Sequence, residues 1–456
     1  MTSPHTSRKR DLTQGPIWSH VWRMSAPMII GIGSIVSFAL ADTYFIGQLG
    51  ATQLAAIGYT FPVTTMFFNI VFGMAIAMSA VISRKVGSKL FEEVKTTVTI
   101  GIAIVVIASI VMAIFGQMML VPLFSSLGAG EEVMPYIREY MPIWFVGAVF
   151  LSVPVVSNAA IRGMGDPVWP AVIMVMIAIM NIILDPIFIF GLFGVPRMEV
   201  QGAAIASLIS YIVAFAVVLS LLIFREKVLT PLCIFSRNAW TLASKPLLAI
   251  AVPVALANVI TPLITYGYTM ILSTLGDEAV AGYGVVSRFE AFALIPIMAL
   301  AGGLAPLVGQ NYGAGYMHRV DEAIQKGLRF AVYYGLGAAI CMAIIAKPVA
   351  TAFSDNVIIH EFVMRYLWFV PFSFVGLNMF LVVTSSMNAS GKPRTSLTLN
   401  LIRAFAIALP AAWIFVGFMG TDGFYAAIIA TNLLSAACAL YYVKTIRCKD
   451  ETNAVI

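Results

Sequence analysis

Apolar runs of about twenty residues alternate with short polar or Gly/Pro-rich breaks along the whole chain, and a run of that length crosses a bilayer as a helix. In the first half they fall at 24–46, 59–83, 96–124, 134–158, 168–191 and 201–224. In the second half they fall at 247–273, 280–309, 327–353, 358–386, 394–418 and 423–446. The pattern predicts an all-α integral membrane protein with twelve transmembrane helices, and the even count puts both termini on one side. The polar N-terminus, residues 1–23, leads into a long first span with no small-residue cleavage pattern, so that span is expected to stay in the membrane.

The two halves repeat the same helix-breaking pattern at a constant offset of 226 positions. Ala26-Pro27 corresponds to Val252-Pro253, Leu49-Gly50 to Leu275-Gly276 and Gly87 to Gly313. Tyr140 corresponds to Tyr366, and Gly165-x-Pro167 to Gly391-x-Pro393. A fixed spacing of Gly and Pro residues is not a by-product of apolar composition, because those residues mark helix breaks. Repeats of six spans have parallel topology, related by an axis along the membrane normal. The expected organisation is an N-terminal segment 1–23, an N-lobe 24–224, a connection 225–246, a C-lobe 247–446 and a tail 447–456.

Composition and charge sharpen this picture. Charged residues are 11% of the 456, where a soluble protein carries roughly a quarter, and the connection 225–246 is too short for a catalytic domain. The net charge of +6 is read as orientation and not as nucleic-acid binding, because 21 of the 27 basic residues lie in the N-terminus, alternate loops and the C-terminus. That face is expected to be cytoplasmic. Cys233, Cys341, Cys438 and Cys448 are scattered and read as free thiols, and His5, His20, His318 and His360 form no metal cluster. No phosphate-binding G-x-x-x-x-G-K loop is present, which argues against ATP-driven transport by this chain alone.

Ionisable groups in hydrocarbon cost several kcal/mol unless paired or hydrated, so each one inside a span is a candidate for function. Asp42, Asp185, Arg288, Glu290 and Arg403 are in that position. Helical rise puts Asp42 on span 1 and Asp185 on span 5 at similar depth, with Asn181 one turn from Asp185 on the same face and Ser207 of span 6 at that level. Two close carboxylates in a low-dielectric pocket cannot both ionise cheaply, so such a pair keeps a shared proton or takes a cation, with sodium at Asp42, Asn181 and Asp185 as the metal alternative. Structural readings stand beside these: Asp42 as a cap before Gly47, and Asp185-Pro186 as the N-cap of a broken helix. Arg288, Glu290 and Arg403 are read as a C-lobe ion pair, with a second substrate or proton site as the alternative. Pro27 is a hinge or a static kink. The 30 Phe and 24 Met suit polarizable drugs, though most face lipid.

The chain resembles the multidrug and toxic compound extrusion (MATE) family over nearly its whole length. The resemblance rests on Ala26-Pro27, Ala41-Asp42-Thr43, Arg162-Gly163-Met164-Gly165-Asp166-Pro167, Asn181-Ile182-Ile183-Leu184-Asp185-Pro186 and Gly309-Gln310-Asn311-Tyr312-Gly313-Ala314-Gly315. It implies two pseudo-symmetric six-helix lobes, no cofactor, and antiport of organic, often cationic or amphipathic compounds against protons or sodium, by a monomer in contact with membrane lipids. The sodium-coupled norfloxacin-exporter branch carries acidic residues in spans 7 and 10, which have no counterpart here. The sequence is more similar to the branch named for a DNA-damage-inducible protein (DinF-like), which relies on an N-lobe aspartate. That branch implies that Tyr140 and Asn158 line the N-lobe cavity, where a helix-helix hydrogen bond is the other reading, and that Pro27 lets span 1 bend on protonation. Short termini and compact loops resemble prokaryotic members, in the inner membrane. Two other functions are weighed: a flippase for lipids or lipid-linked oligosaccharides, which calls for a large basic cavity, and a prenyltransferase-type enzyme, for which Asn181-x-x-x-Asp185 is a faint likeness to an Asp-rich magnesium motif.

Overall fold

The computed structural model describes residues 11–353 and 356–453, with side chains through Lys444; His5, the basic residues Arg8, Lys9 and Arg10, and the Cys448 thiol lie outside them. The expectation of twelve helices in two lobes is borne out. The N-terminal six are α1 (Ile17–Gly47), α2 (Ala51–Gly87), α3 (Phe91–Met118), α4 (Met134–Gly163), α5 (Val168–Phe190) and α6 (Glu199–Arg225). The C-terminal six are α7 (Arg237–Ser273), α8 (Asp277–Gly313), α9 (Met317–Phe353), α10 (Val357–Ala389), α11 (393–419) and α12 (421–453). The last two form one helical stretch folded at Gly420, whose φ of 58° and ψ of −131° leave helical space as only glycine does freely. Helices run past the expected boundaries. In particular α7 starts inside the expected loop 225–246, because the Ser236 hydroxyl caps it by accepting from the Ala239 amide at 3.4 Å.

Two separate apolar cores define the lobes, one drawing on residues between Ile46 and Val254, the other on residues between Ile260 and Ile428. The first helix of each lobe does not keep to its own side. Leu12 and the first turns of α1 (Ile17, Val21, Met24) pack with Ile297, Leu300 and Leu304 of the C-lobe. Leu247, Ile250, Ala251 and Val254 of α7 belong to the N-lobe core. Beyond Pro27, α1 returns to its own lobe, with Gly31 against Met174 and Ala171 of α5. Beyond Pro253, α7 joins the C-lobe core through Ile260, Ile264 and Leu272. Each proline deletes one backbone hydrogen bond of its helix, and the repeat places both where the helix changes lobes.

Without a hydrophobic force between helices in lipid, close association needs small residues and backbone approach. The lobes meet this way at the end of the bundle that bears both termini. A Cβ on Gly87 would lie 2.0 Å from the Gln310 carbonyl oxygen, and one on Gly313 would lie 2.1 Å from that of Arg84, so the repeat-related glycines seat each lobe on the other. Residues 11–16 seal the joint. Gln310 accepts from the Leu12 amide at 3.1 Å and donates to the Gly163 carbonyl at 3.0 Å. Asn311 donates to the Leu12 carbonyl at 3.1 Å and accepts from Arg319 at 2.9 Å. The Gln310-Asn311 motif is thus a closure. Toward the opposite face the same sides of α2 and α8 turn exposed at Ala55, Gly58, Pro62, Ala281, Gly284 and Arg288, and a Cβ on Gly58 or Gly284 would meet nothing within 4 Å. The lobes diverge there into a cleft open to that face.

Gly87→Val should part the lobes at the closed end and cost about 1–3 kcal/mol, the usual penalty of overpacking. Maleimide labelling of Ser25→Cys, a side chain buried against Gly303, should accelerate in that background. Equal labelling rates would show that closure does not depend on this contact.

Candidate functional site

The N-lobe interior collects polar groups from four helices near the open end. Asp185 and Asn181 face inward from α5, Ser207 and Tyr211 from α6, Tyr140 from α4, and Asp42 from the last turns of α1. Asp185 and Asn181 are fully buried, and Ser207, Tyr140 and Tyr211 nearly so. Asp42 is half-buried, with its Oδ1 shielded and without a hydrogen-bond partner among the described residues. Asp42 and Asp185 lie near enough to feel each other's charge, and the phenols of Tyr140 and Tyr211 feel both. No basic side chain among the described residues forms an ion pair with either.

The Asn181 amide bridges this site. One end lies 2.6 Å from Asp185 Oδ2 and 3.3 Å from Oδ1, the other 3.0 Å from Ser207 Oγ. With nitrogen toward Asp185, it donates to an ionised carboxylate and accepts from Ser207. Turned over, its oxygen accepts from a protonated carboxyl and its nitrogen donates to the Ser207 oxygen. A half-turn of one amide therefore satisfies both charge states. Two carboxylates, an amide and hydroxyls suit a proton or a monovalent cation, and among the described residues no cluster of three His, Cys, Asp or Glu is built for a harder-held metal.

The four residues expected at one level, Asp42, Asp185, Asn181 and Ser207, come together, and the capping alternatives do not occur. Helix α5 runs unbroken through Pro186, and α1 continues past Asp42 to Gly47. Tyr140 joins the site but Asn158 does not: it lies eighteen residues along α4, five turns away, at the closed end with its Oδ1 unpartnered among the described residues. Tyr211, missed in the sequence, sits one turn beyond Ser207 on the same helix face and is nearly fully buried. The i, i+4 spacing from Ser207 was the available signal.

In the C-lobe the expected ion pair is corrected. Glu290 accepts from the Tyr366 hydroxyl at 3.4 Å, and no Arg288 or Arg403 nitrogen comes within ion-pair distance among the described residues. Arg288, two positions along α8, points about 200° around the helix and is exposed. The Arg403 guanidinium lies 5.3 Å above the Phe380 ring, in a π-helical turn, Ile402–Ala408. Tyr366 stands where the repeat places Tyr140, and Tyr268 where it places Asp42, so the C-lobe has a phenol in place of the N-lobe carboxylate. The expectation that span 10 lacks an acidic residue is corrected: Glu361 lies in the first turns of α10, but it is exposed and pairs with Arg365 at 2.6 Å.

Comparison with known proteins agrees with this architecture. A FAD transporter of Shewanella oneidensis is 36% identical over 438 residues, covering 96% of this chain and 97% of that protein. A probable multidrug resistance protein of Bacillus subtilis, YpnP, is 26% identical, covering 95% and 96%. The crystal structure of the Vibrio cholerae MATE transporter VcmN in the bent form matches with a TM-score of 0.90 at 29% identity, over 95% of this chain and 98% of that one. The MatE family profile matches twice, at residues 27–187 and 253–414, so its two copies start 226 positions apart, and the chain belongs to the MatE family of multidrug and toxic compound extrusion transporters.

Proposed function

We propose that this chain is an antiporter that exports small organic molecules through the cleft by alternating access, driven by a proton or sodium ion entering the Asp42, Asp185, Asn181 and Ser207 site. The observation that carries this reading is the enclosure of Asp185 with an amide whose two orientations satisfy the charged and the neutral carboxyl. At Asp185 one positive charge can be held or released while Asn181 and Ser207 keep their hydrogen bonds in either state. The basic loops give the terminal face to the cytoplasm, so the cleft opens outward. Buried polar atoms at the closed end support a second, inward-open state. Ser79 Oγ, Asn158 Oδ1, Arg162 Nε and Asn388 Oδ1 have no hydrogen-bond partner among the described residues, and each costs about 1–3 kcal/mol while shut in.

The relatives' names suggest the cargo: drugs for the multidrug resistance proteins, and FAD for the transporter from Shewanella. FAD is an aromatic organic molecule, and Phe61, Met66, Tyr266 and Met270 expose rings and thioethers on α2 and α7. Coupling requires that ion and cargo bias one equilibrium in opposite directions, for which about 5.5 kcal/mol of differential affinity inverts a 1:99 population. Asp42 stands where that bias reaches the lobes, on the helix that crosses between them at Pro27.

Asp42→Asn should fold, keep its affinity for cargo within about threefold, and lose uphill efflux by about tenfold or more in vesicles with an imposed pH or sodium gradient. Wild-type rates of uphill transport in that variant would overturn the mechanism. Repeating the wild-type assay with each gradient alone identifies the ion. Asn181→Ala strands Asp185 without its amide donor, which disfavours the ionised form, so efflux should shift to higher pH if the proton is the coupling ion. An unchanged pH profile and unchanged sodium dependence for both Asn181→Ala and Asp185→Asn would move the coupling site elsewhere.

A further inference from the structure

We propose that Arg288 is a cargo subsite on the C-lobe wall of the cleft, recognising a phosphate or carboxylate on an aromatic molecule; this deepens the transport reading and rests on it. The cargo expected from the family resemblance is often cationic, and Arg288 points to the reverse. Arg288 and Pro306 are eighteen residues apart on α8, five full turns, so the arginine continues the helix face that closes on the N-lobe lower down at Gly309 and Gly313. Above that closure the face borders the cleft.

Arg288 is exposed, and among the described residues it has neither an ion pair nor a hydrogen bond. It lies eleven residues into α8, about 16 Å from the open end, whereas Asp42 lies five residues, about 8 Å, from the end of α1. A guanidinium at that depth facing hydrocarbon alone costs several kcal/mol, and a water-filled cleft removes the cost. From Met24 to Gly47 on α1, Ala51 to Ser83 on α2, Leu247 to Ser273 on α7 and along all of α8, Arg288 is the sole basic residue. The carboxylate nearest in sequence, Glu290, is turned away and taken up by Tyr366.

The surroundings suit a flat anionic molecule. Gly284, one turn toward the open end, leaves open space beside the arginine, and Phe292, one turn deeper on α8, is exposed. A planar fork of N–H donors binds phosphate or carboxylate through two parallel hydrogen bonds, and an adjacent ring stacks on an aromatic cargo. A drug with a fixed positive charge would instead meet a like charge.

Equilibrium binding of two flavins that differ by one phosphate tests this. Purified protein in phosphatidylcholine nanodiscs should bind flavin mononucleotide at least about tenfold more tightly than riboflavin, read from quenching of flavin fluorescence. Arg288→Gln should abolish that preference while leaving riboflavin binding and the melting temperature unchanged, and Arg288→Lys should keep part of it. The proposal is overturned if wild-type protein does not distinguish the two flavins, or if Arg288→Gln retains the preference. A preference present in phosphatidylcholine but lost in phosphatidylglycerol discs would assign the arginine to lipid headgroups and overturn it as well. Should Arg288→Gln lose its fold, an unfolded melting profile identifies this, and the comparison of Arg288→Lys with wild type then decides: undiminished preference in the lysine variant overturns the bidentate reading. Because binding is measured without a gradient, failure here is separate from failure of uphill transport in the Asp42→Asn experiment.

Discussion

Backbone contact between the lobes at the terminal face is the constraint on which the rest depends. Gly87 and Gly313 admit no side chain, and they bring the Gln310 and Arg84 carbonyls of the facing helices to the surface of the opposite lobe. That approach shuts one end of the molecule, while on the same sides of α2 and α8 toward the other end Gly58 and Gly284 have no neighbour against them. The cleft follows from the closure. So does the placing of the motif Gly309 to Gly315, which supplies small residues to the joint and two amides to hold residues 11–16 against it.

The two repeats share a scaffold but not a chemistry. In the N-lobe, Asp42 and Asp185 share one interior with Tyr140; in the C-lobe, Tyr268 and Ala411 stand at the repeat-related positions, and Tyr366 serves Glu290 alone. A single carboxylate with a phenol donor is cheaper to enclose than two carboxylates without a counter-cation. The N-lobe arrangement is therefore the costlier of the two, and its cost varies with the occupancy of a positive charge. Duplication supplied two equivalent frames, and they carry different polar groups.

Depth was legible in the sequence because helical rise is uniform: Asp42, Asp185, Asn181 and Ser207 could be levelled by counting residues from the helix ends. The resemblance that paired Tyr140 with Asn158 carried no depth. Tyr140 and Asn158 share one side of α4 but stand five turns apart, so only the first reaches the acidic site. Proximity in sequence misled in the same way for Arg288 and Glu290, whose two-residue spacing sends them to opposite sides of α8. The duplication was readable from glycine and proline positions, since these report backbone constraints. The crossing of α1 and α7 between lobes was not, because it is decided by which apolar surfaces meet, and an apolar stretch carries no label of its partner.

That crossing bears on how the chain is made. When the ribosome has delivered only the first six helices, the N-lobe lacks Leu247, Ile250, Ala251 and Val254, which complete its core, while Ile17, Val21 and Met24 have no surface to rest on. Neither lobe is a finished folding unit by itself. The first half must wait in the bilayer as an incomplete bundle until α7 and α8 are inserted, and maturation becomes a single late event in which each half supplies the missing piece of the other. Co-expressed half-molecules should consequently assemble as an obligate pair, with each half vulnerable to membrane proteases when made alone.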